Sequence, residues 1–295
     1  MRALAASLLA AVAVPVAAAP GRYAAAMIGP PPTTLRLDRF YTRHVDAGGI
    51  PVVSSARVPD DALLFARDIA VAMLADRPDL RRWMAASGYR VAIIALTEGL
   101  VDLPEQRHWT KPAADDPRLT TCERKYYAER IGRLSDRDYW NNRARGMGGQ
   151  LTTAPAENLI GTPGSWYYGE NNFVHEFAHA ILAAVRQRDT ALYAALERAY
   201  AAAMARGAWR GEYALTTVDE YWAEGTQLWF NTNRLIVVDG QRLLNDEDLQ
   251  RYDPTLFALL AQVYGDRHRL PSDVFYRHPA RVPPGDPPKT TAEIC

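Results

Sequence analysis

Two histidines and a glutamate in the middle of the chain have the spacing of a metal-binding helix. The segment reads His175-Glu176-Phe-Ala-His179. Residues four apart lie on one face of a helix, so both imidazoles can reach one ion. Glu176 then leans toward an open coordination position, where it can accept a proton from a water molecule at the metal. The pattern predicts a zinc centre with His175 and His179 as ligands and Glu176 as general base.

A third ligand is expected, because a catalytic zinc ion usually has three protein ligands and one open position. Glu220 and Glu224 follow downstream, four residues apart, and would share one face of a helix. Burying both carboxylates beside Trp222 and Trp229 would be costly without a cation, which the metal site supplies. The sequence favours Glu220 as the ligand and Glu224 as a residue that orients a ligating histidine, and the opposite assignment stays open.

Glu220 also fits a different role at the start of its helix. Thr217-x-x-Glu220 matches a capping box, in which the glutamate side chain closes the helix N-terminus. Thr216 and Asp219 offer a similar cap, which would leave Glu220 free to bind a metal. Both interpretations remain open at the level of the sequence.

The two segments, His175-Glu-Phe-Ala-His179 and Glu220-Tyr-Trp-Ala-Glu224, resemble the gluzincin pattern of the anthrax lethal factor protease domain and the Mlc titration factor peptidases. In those proteins the first glutamate of the second helix binds zinc, which corresponds to Glu220. The resemblance also implies that Tyr213, seven residues earlier, donates a hydrogen bond to the oxyanion of the tetrahedral intermediate. It covers mainly residues 157–232 and implies a zinc metallopeptidase with a peptide or protein substrate.

The elements that must position these residues are mostly helical. Apolar residues at helical spacing predict helices over about residues 60–76, 171–186, 190–206, 217–232 and 256–264. Two short apolar runs, residues 50–54 and 90–96, read as strands. We therefore expect an α+β, zincin-like fold, with a small sheet over the His-Glu-x-x-His helix and a mostly helical remainder.

The stretch between the predicted strands and the metal helix, residues 98–170, is rich in Pro, Gly and Asp and reads as an ordered, loop-rich region. Within it, Glu157-Asn-Leu-Ile160 reads either as an edge strand that pairs with extended substrate or as a plain connecting strand. The segment Glu170-Asn171-Asn172, at the start of the metal helix, is expected to cap that helix.

The chain begins with a positive charge and an alanine-rich apolar stretch that ends in small residues. This composition predicts a signal peptide over residues 1–19, followed by a flexible leader over 20–35. The remainder, 36–295, is expected to form one zincin-like catalytic domain, with an N-terminal lobe (36–150) and a metal-binding lobe (151–295). We expect a secreted or periplasmic protein without a membrane span after signal removal.

The two cysteines, Cys122 and Cys295, can form one disulfide in an oxidising compartment.

Lys plus Arg and Asp plus Glu both number 34, so the formal net charge is zero and no global field attracts nucleic acid. The sequence does not indicate an oligomeric state.

Two other functions compete with a peptidase. An amidase acting on cell-wall peptides would use the same metal site, and the sequence does not separate the two enzymes. A non-catalytic, zinc-stabilised secreted binding protein would keep the helix without hydrolysis. The intact Glu176 argues against that alternative, because a structural site has no need of a general base.

Overall fold

The computed structural model describes residues 23–117 and 119–285. The predicted signal peptide and Cys295 lie outside the described residues. Cys122 is buried in a short helix. The signal peptide and the disulfide therefore stay predictions.

A four-stranded mixed sheet forms the N-terminal part of the fold. Its strands are β1 (Arg43–Ala47), β2 (Ile50–Ser54), β3 (Arg90–Ile94) and β4 (Leu151–Pro155), in the order β1-β2-β3-β4. β1 and β2 pair antiparallel, whereas β2, β3 and β4 run parallel. The β-branched run in β3 is buried from its second residue on, as expected for a central parallel strand.

Helices make up most of the remaining chain. Within the described residues the α-helices are α1 (Asp60–Met73), α2 (Pro78–Ala86), α3 (Thr121–Lys125), α4 (Asp136–Arg143), α5 (Ala156–Leu159), α6 (Asn172–Arg188), α7 (Thr190–Ala205), α8 (Val218–Trp229), α9 (Asp246–Tyr252) and α10 (Pro254–Tyr264). A two-stranded antiparallel hairpin, β5 (Ile236–Val238) and β6 (Gln241–Leu243), lies between α8 and α9. The fold is α+β, with a small mixed sheet and mostly helices, as the sequence predicted at this level.

The main core lies between the sheet and helices α1, α6 and α8. The apolar stripe of the metal helix is buried completely, and Phe173 stacks on Phe177 with ring centroids 5.4 Å apart. Burying each large apolar side chain stabilises the fold by about 1.5–3 kcal/mol. The largest fully buried rings on the helical side are Trp209, Tyr221, Trp222, Trp229 and Tyr264. These rings pack α8 against α10 and against the segment that carries Trp209. Helix α8 also packs closely against α6.

Three expectations need correction or refinement. Glu157–Ile160 is not a strand, since helix α5 occupies that position. The region expected to be loop-rich contains α3, α4, α5 and strand β4. Strand β4 belongs to the second predicted lobe but pairs with β3 of the first, so the sheet joins the two lobes.

The segment predicted to be a flexible leader is anchored from residue 23 onward. Tyr23 donates a hydrogen bond to Asp61 over 2.7 Å and packs edge-on against Phe65 of α1. A β-bridge joins Gly29 to His44 of β1. Across the described parts of the chain, none of the helices has the length and apolar character needed to cross a membrane.

Candidate metal centre

The predicted metal helix, α6, begins at Asn172, and Asn171 is its N-cap. The Asn171 Oδ1 accepts a hydrogen bond from the backbone N–H of Val174 over 3.3 Å, as an N-cap residue does. The Asn171 Nδ2 donates to Asp273 Oδ1 over 2.8 Å. The start of the helix is thus tied to a loop near the far end of the described chain, and His175 and His179 lie one and two turns beyond it.

Three donor atoms from α6 and α8 converge at one point. His175 Nε2 lies 3.0 Å from Glu220 Oε2 and 3.2 Å from His179 Nε2, and His179 Nε2 lies 3.4 Å from Glu220 Oε2. All three atoms lie within 4.8 Å of one another. Two imidazole nitrogens and a carboxylate oxygen are the ligands that zinc prefers. The residues present therefore fit a metal ion such as zinc, and they are the three residues that the sequence favoured as ligands.

The other nitrogen of His175 explains why Nε2 faces the centre. His175 Nδ1 lies 3.1 Å from Gln227 Oε1 and 3.4 Å from Glu224 Oε1. With the Nδ1 proton donated to these oxygens, the Nε2 lone pair stays available for a metal. Gln227 in turn donates to the carbonyl of Asn171 over 3.1 Å, and Asn233 donates to Glu224 Oε2 over 2.8 Å.

Glu224 therefore stands where the sequence placed it, behind a histidine. Gln227 was missed, although it shares the hydrogen-bonding role and lies closer to the ring. The spacing of residues in the sequence does point to Gln227. Glu220, Glu224 and Gln227 follow a spacing of four and three, which places all three on one face of α8.

Of the two roles considered for Glu220, the helix cap is made by Thr217 and not by the glutamate side chain. The Oγ1 of Thr217 accepts a hydrogen bond from the backbone N–H of Glu220 over 3.1 Å, so Thr217 is the N-cap of α8. The Glu220 carboxylate points instead to the histidines. Thr216 does not cap, because its hydroxyl donates to the carbonyl of Tyr213. Burial alone would raise the pKa of Glu220, but hydrogen bonds from His175 hold that pKa well below its usual range.

The predicted general base is buried beside the ligands. Glu176 is 9% exposed and lines the same cavity as His175 and His179. Its Oε1 accepts a hydrogen bond from Asn172 Nδ2 over 3.1 Å. Burial raises the pKa of Glu176 above its ordinary value, while the two histidines oppose that rise. A carboxyl in this environment is suited to exchanging protons.

Tyr213 stands at the rim of the centre, in a short 3-10 turn that precedes α8. Its hydroxyl donates to Glu220 Oε1 over 3.1 Å, and its ring lies 6.3 Å from that of His175. Partial burial, followed by the charge of Glu220, raises the pKa of Tyr213 above its usual value. The phenol therefore stays protonated and can donate a hydrogen bond.

A glycine-rich segment, residues 145–149, passes directly over the metal helix. It is called the glycine-rich strand below because Met147 forms an isolated β-bridge. Met147 pairs antiparallel with Thr153 of β4, with N···O distances of 2.8 and 3.2 Å. A Cβ on Gly148 would lie 2.4 Å from the Cβ of His179. The segment thus lies beside β4, at the sheet edge that Glu157–Ile160 was one candidate to form. A side chain on Gly148 would collide with α6.

Arg145 anchors the glycine-rich strand at its N-terminal end. Its guanidinium donates to Glu157 Oε1 over 2.9 and 2.7 Å and to the carbonyl of Ala95 over 3.1 Å. Arg145 and Glu157 are both at least nine-tenths buried. Breaking a buried charge pair of this kind strongly destabilises the fold. The pair therefore fixes the position of the N-terminal end of the strand.

A cavity of about 760 Å³ opens over the three candidate ligands. The glycine-rich strand and Trp140 form one wall, and Tyr213 and Glu220 form another. Glu170 lies near the start of the metal helix, and burial raises its pKa to about 7 against the lowering effect of Arg234. The cavity has the size of a site that takes a small molecule or a few residues of a peptide.

No protein-family profile and no curated protein sequence matches the chain. Among solved structures, the chain is similar to the Pro-Pro endopeptidase PPEP-2 from Paenibacillus alvei, with 15% sequence identity and a TM-score of 0.42. The match covers 72% of this chain and 96% of that chain. A likeness this distant assigns neither an activity nor a substrate to the chain.

Proposed function

We propose that the chain is a zinc-dependent metallohydrolase, and specifically a gluzincin-type peptidase with a zincin-like fold. The observation that carries the proposal is the convergence of His175, His179 and Glu220 on one point, with the buried carboxylate of Glu176 beside them. A site that only stabilised the fold would have no use for a carboxylate poised next to the ligands.

Each residue has a distinct role in the proposed reaction. His175, His179 and Glu220 would hold zinc, which supplies an acidified water molecule and polarises the substrate carbonyl. Glu176 accepts the proton of that water and passes it to the leaving amine. Tyr213, whose hydroxyl is 3.1 Å from Glu220 Oε1, donates a hydrogen bond to the developing oxyanion.

The glycine-rich strand offers a place for the substrate backbone. Both backbone polar groups of Met147 face β4. On an extended backbone the groups of the neighbouring residues point the opposite way. We infer that the backbone polar groups of Gly146 and Gly148 face the cavity that both residues line. An extended peptide would pair with this edge and lie across the metal centre.

The proposal is tested by metal analysis and by one substitution. Purified wild-type protein should contain about one zinc per chain. Glu176→Gln should keep that zinc but abolish hydrolysis of a peptide library, because an amide cannot take the proton. Glu197→Gln, on the exposed side of α7, is the matched control and should hydrolyse normally. Zinc-free wild-type protein, or turnover retained in Glu176→Gln, would contradict the proposal.

The same experiment separates the competing functions. Digestion of cell-wall peptides in place of protein peptides would identify an amidase acting on cell-wall peptides. Bound zinc without hydrolysis of either substrate would identify a zinc-stabilised binding protein. A secreted or periplasmic location is part of the proposal, and cell fractionation with N-terminal sequencing of the exported protein tests it.

A further inference from the structure

The general base has a neighbour that the proposed reaction does not use. Asn172 lies one helical turn before Glu176, and its Nδ2 donates to Glu176 Oε1 over 3.1 Å. Asn172 is 4% exposed. Among the residues that the structure describes, no other hydrogen-bond donor reaches the Glu176 carboxylate. The hydrogen bond therefore fixes the position of Glu176 Oε1, and Glu176 Oε2 can accept a proton in the proposed reaction.

The position of Asn172 is itself determined by two contacts. Its backbone N–H donates to the side-chain oxygen of buried Asn158 over 2.9 Å. Gly146 of the glycine-rich strand lies against its amide, since a Cβ there would be 2.2 Å from Asn172 Oδ1 and 3.0 Å from Glu176 Cγ. A side chain at position 146 would therefore displace the amide, the base, or both.

The amide has one favourable orientation. Within the described chain, Asn172 Oδ1 has no hydrogen-bond partner although it is buried. Turning the amide over would place that oxygen against the carboxylate of Glu176, and two acceptors would then face each other. The donor Nδ2 therefore faces Glu176, and the unpaired oxygen faces Gly146.

We propose that Asn172 is a positioning residue for the general base, and that Gly146 lacks a side chain in order to admit it. Torsion about the last bond of a glutamate side chain is broad, so an unheld carboxylate samples many orientations. Holding Oε1 presents Oε2 in one direction, toward the water that loses its proton and then toward the leaving amine. This inference rests on the proposed function, because it assigns Glu176 the role of base.

The test uses Asn172→Asp, which keeps the shape of the side chain but replaces the donor with an oxygen, and Asn172→Ser as a second, uncharged variant. Both should lower kcat on the order of 10- to 100-fold, a part of what general-base catalysis contributes. KM and zinc content should stay within about twofold of wild type. In crystal structures of the zinc-loaded variants, the Glu176 carboxylate should leave its wild-type position or occupy several positions.

Asn231→Asp is the matched control. Asn231 is 1% exposed, donates its Nδ2 to the carbonyl of His268, and also has an unpaired Oδ1 among the described residues. It lies outside the cavity, so this substitution should leave kcat and the position of Glu176 unchanged.

Unchanged kcat with Glu176 in place in both Asn172 variants would overturn the inference. Loss of zinc from these variants would also overturn it, since Asn172 would then support the metal helix rather than the base. If the wild-type protein hydrolyses no substrate, the proposed function fails, and the position of Glu176 in the variant structures still decides the inference.

Discussion

At the residue scale, Glu220 shows how one position can satisfy two patterns. Its backbone N–H closes the cap made by Thr217, while its carboxylate reaches His175 and His179. A capping box uses the glutamate side chain as well, and here that side chain is committed elsewhere. The sequence alone could not decide whether the Glu220 side chain caps α8 or reaches the histidines, because the answer depends on how α6 packs against α8.

The roles of Glu220 and Glu224 can be separated by substitution. Glu220→Gln should weaken zinc binding sharply, because a neutral amide is a poor replacement for a carboxylate ligand. Glu224→Gln should cost about 10–100-fold in zinc affinity or activity, as changes behind a ligand typically do. Zinc affinity and Tm measured for both variants test this prediction. Tight zinc binding by Glu220→Gln beside a metal-free Glu224→Gln would reverse the two assignments.

Most of the candidate site was accessible from residue types and spacing. Residues four apart lie on one face of a helix, which predicts that His175 and His179 lie side by side. The same spacing predicts that Glu220 and Glu224 share a face. Asn172 was assigned only to the helix cap, and Gln227 was not recognised. Amides at helical spacing are common on any helix, so their roles depend on which groups the opposing helix presents.

At the element scale, the glycine-rich strand lies within the region that the sequence predicted to be loop-rich, and its contact with α6 was not recognised. A run with three glycines is typical of a turn, because glycine is disfavoured in strands. Here α6 passes too close to Gly146 and Gly148 for either to carry a side chain without a shift. That proximity is a tertiary contact, and no local pattern encodes it.

The close packing of this strand predicts the effect of adding one methyl group. In Gly148→Ala the new Cβ would meet His179 Cβ at 2.4 Å and the carbonyl of Glu176 at 2.9 Å, so the strand must move away from α6. We expect a destabilisation of about 1–3 kcal/mol, as for other overpacked sites. The hydrolytic rate should fall by more than the loss of folded protein accounts for, because the displaced strand faces the cavity.

Thermal unfolding and peptide hydrolysis of the variant measure these two effects. Gly29→Ala is the control, since a Cβ there meets nothing within 4 Å and should change neither quantity. If Gly148→Ala retains wild-type hydrolysis, the strand does not bind substrate in the proposed way.

At the scale of the whole molecule, the sequence predicted an α+β fold with a small sheet and mostly helices, which the structure shows. Periodicity located α1, α6, α7, α8 and α10 to within a few residues, because each has a continuous apolar stripe. The proposed boundary near residue 150 falls between two paired strands, β3 and β4. Strand pairing joins residues distant in sequence, so a boundary read from local composition does not reveal it.

The disulfide between Cys122 and Cys295 remains a prediction at this scale. If the bridge forms in the exported protein, thiol labelling after unfolding without reductant should find no free cysteine. Reduction, or the pair Cys122→Ser and Cys295→Ser, should then lower stability by about 2–4 kcal/mol, because the bridge restrains the unfolded chain. Two labelled thiols in the unreduced protein would contradict it.

The link between Asn171 and Asp273 has a consequence for the timing of synthesis. These residues are separated by 102 positions, and their hydrogen bond completes the support of the helix that carries His175 and His179. A ribosome adds Asp273 well after all three candidate ligands, so the growing chain passes through a stage in which the ligands exist and the support does not. If the chain has the proposed hydrolytic activity, its active centre is not fully formed while the rest of the chain is still unfolded and open to cleavage.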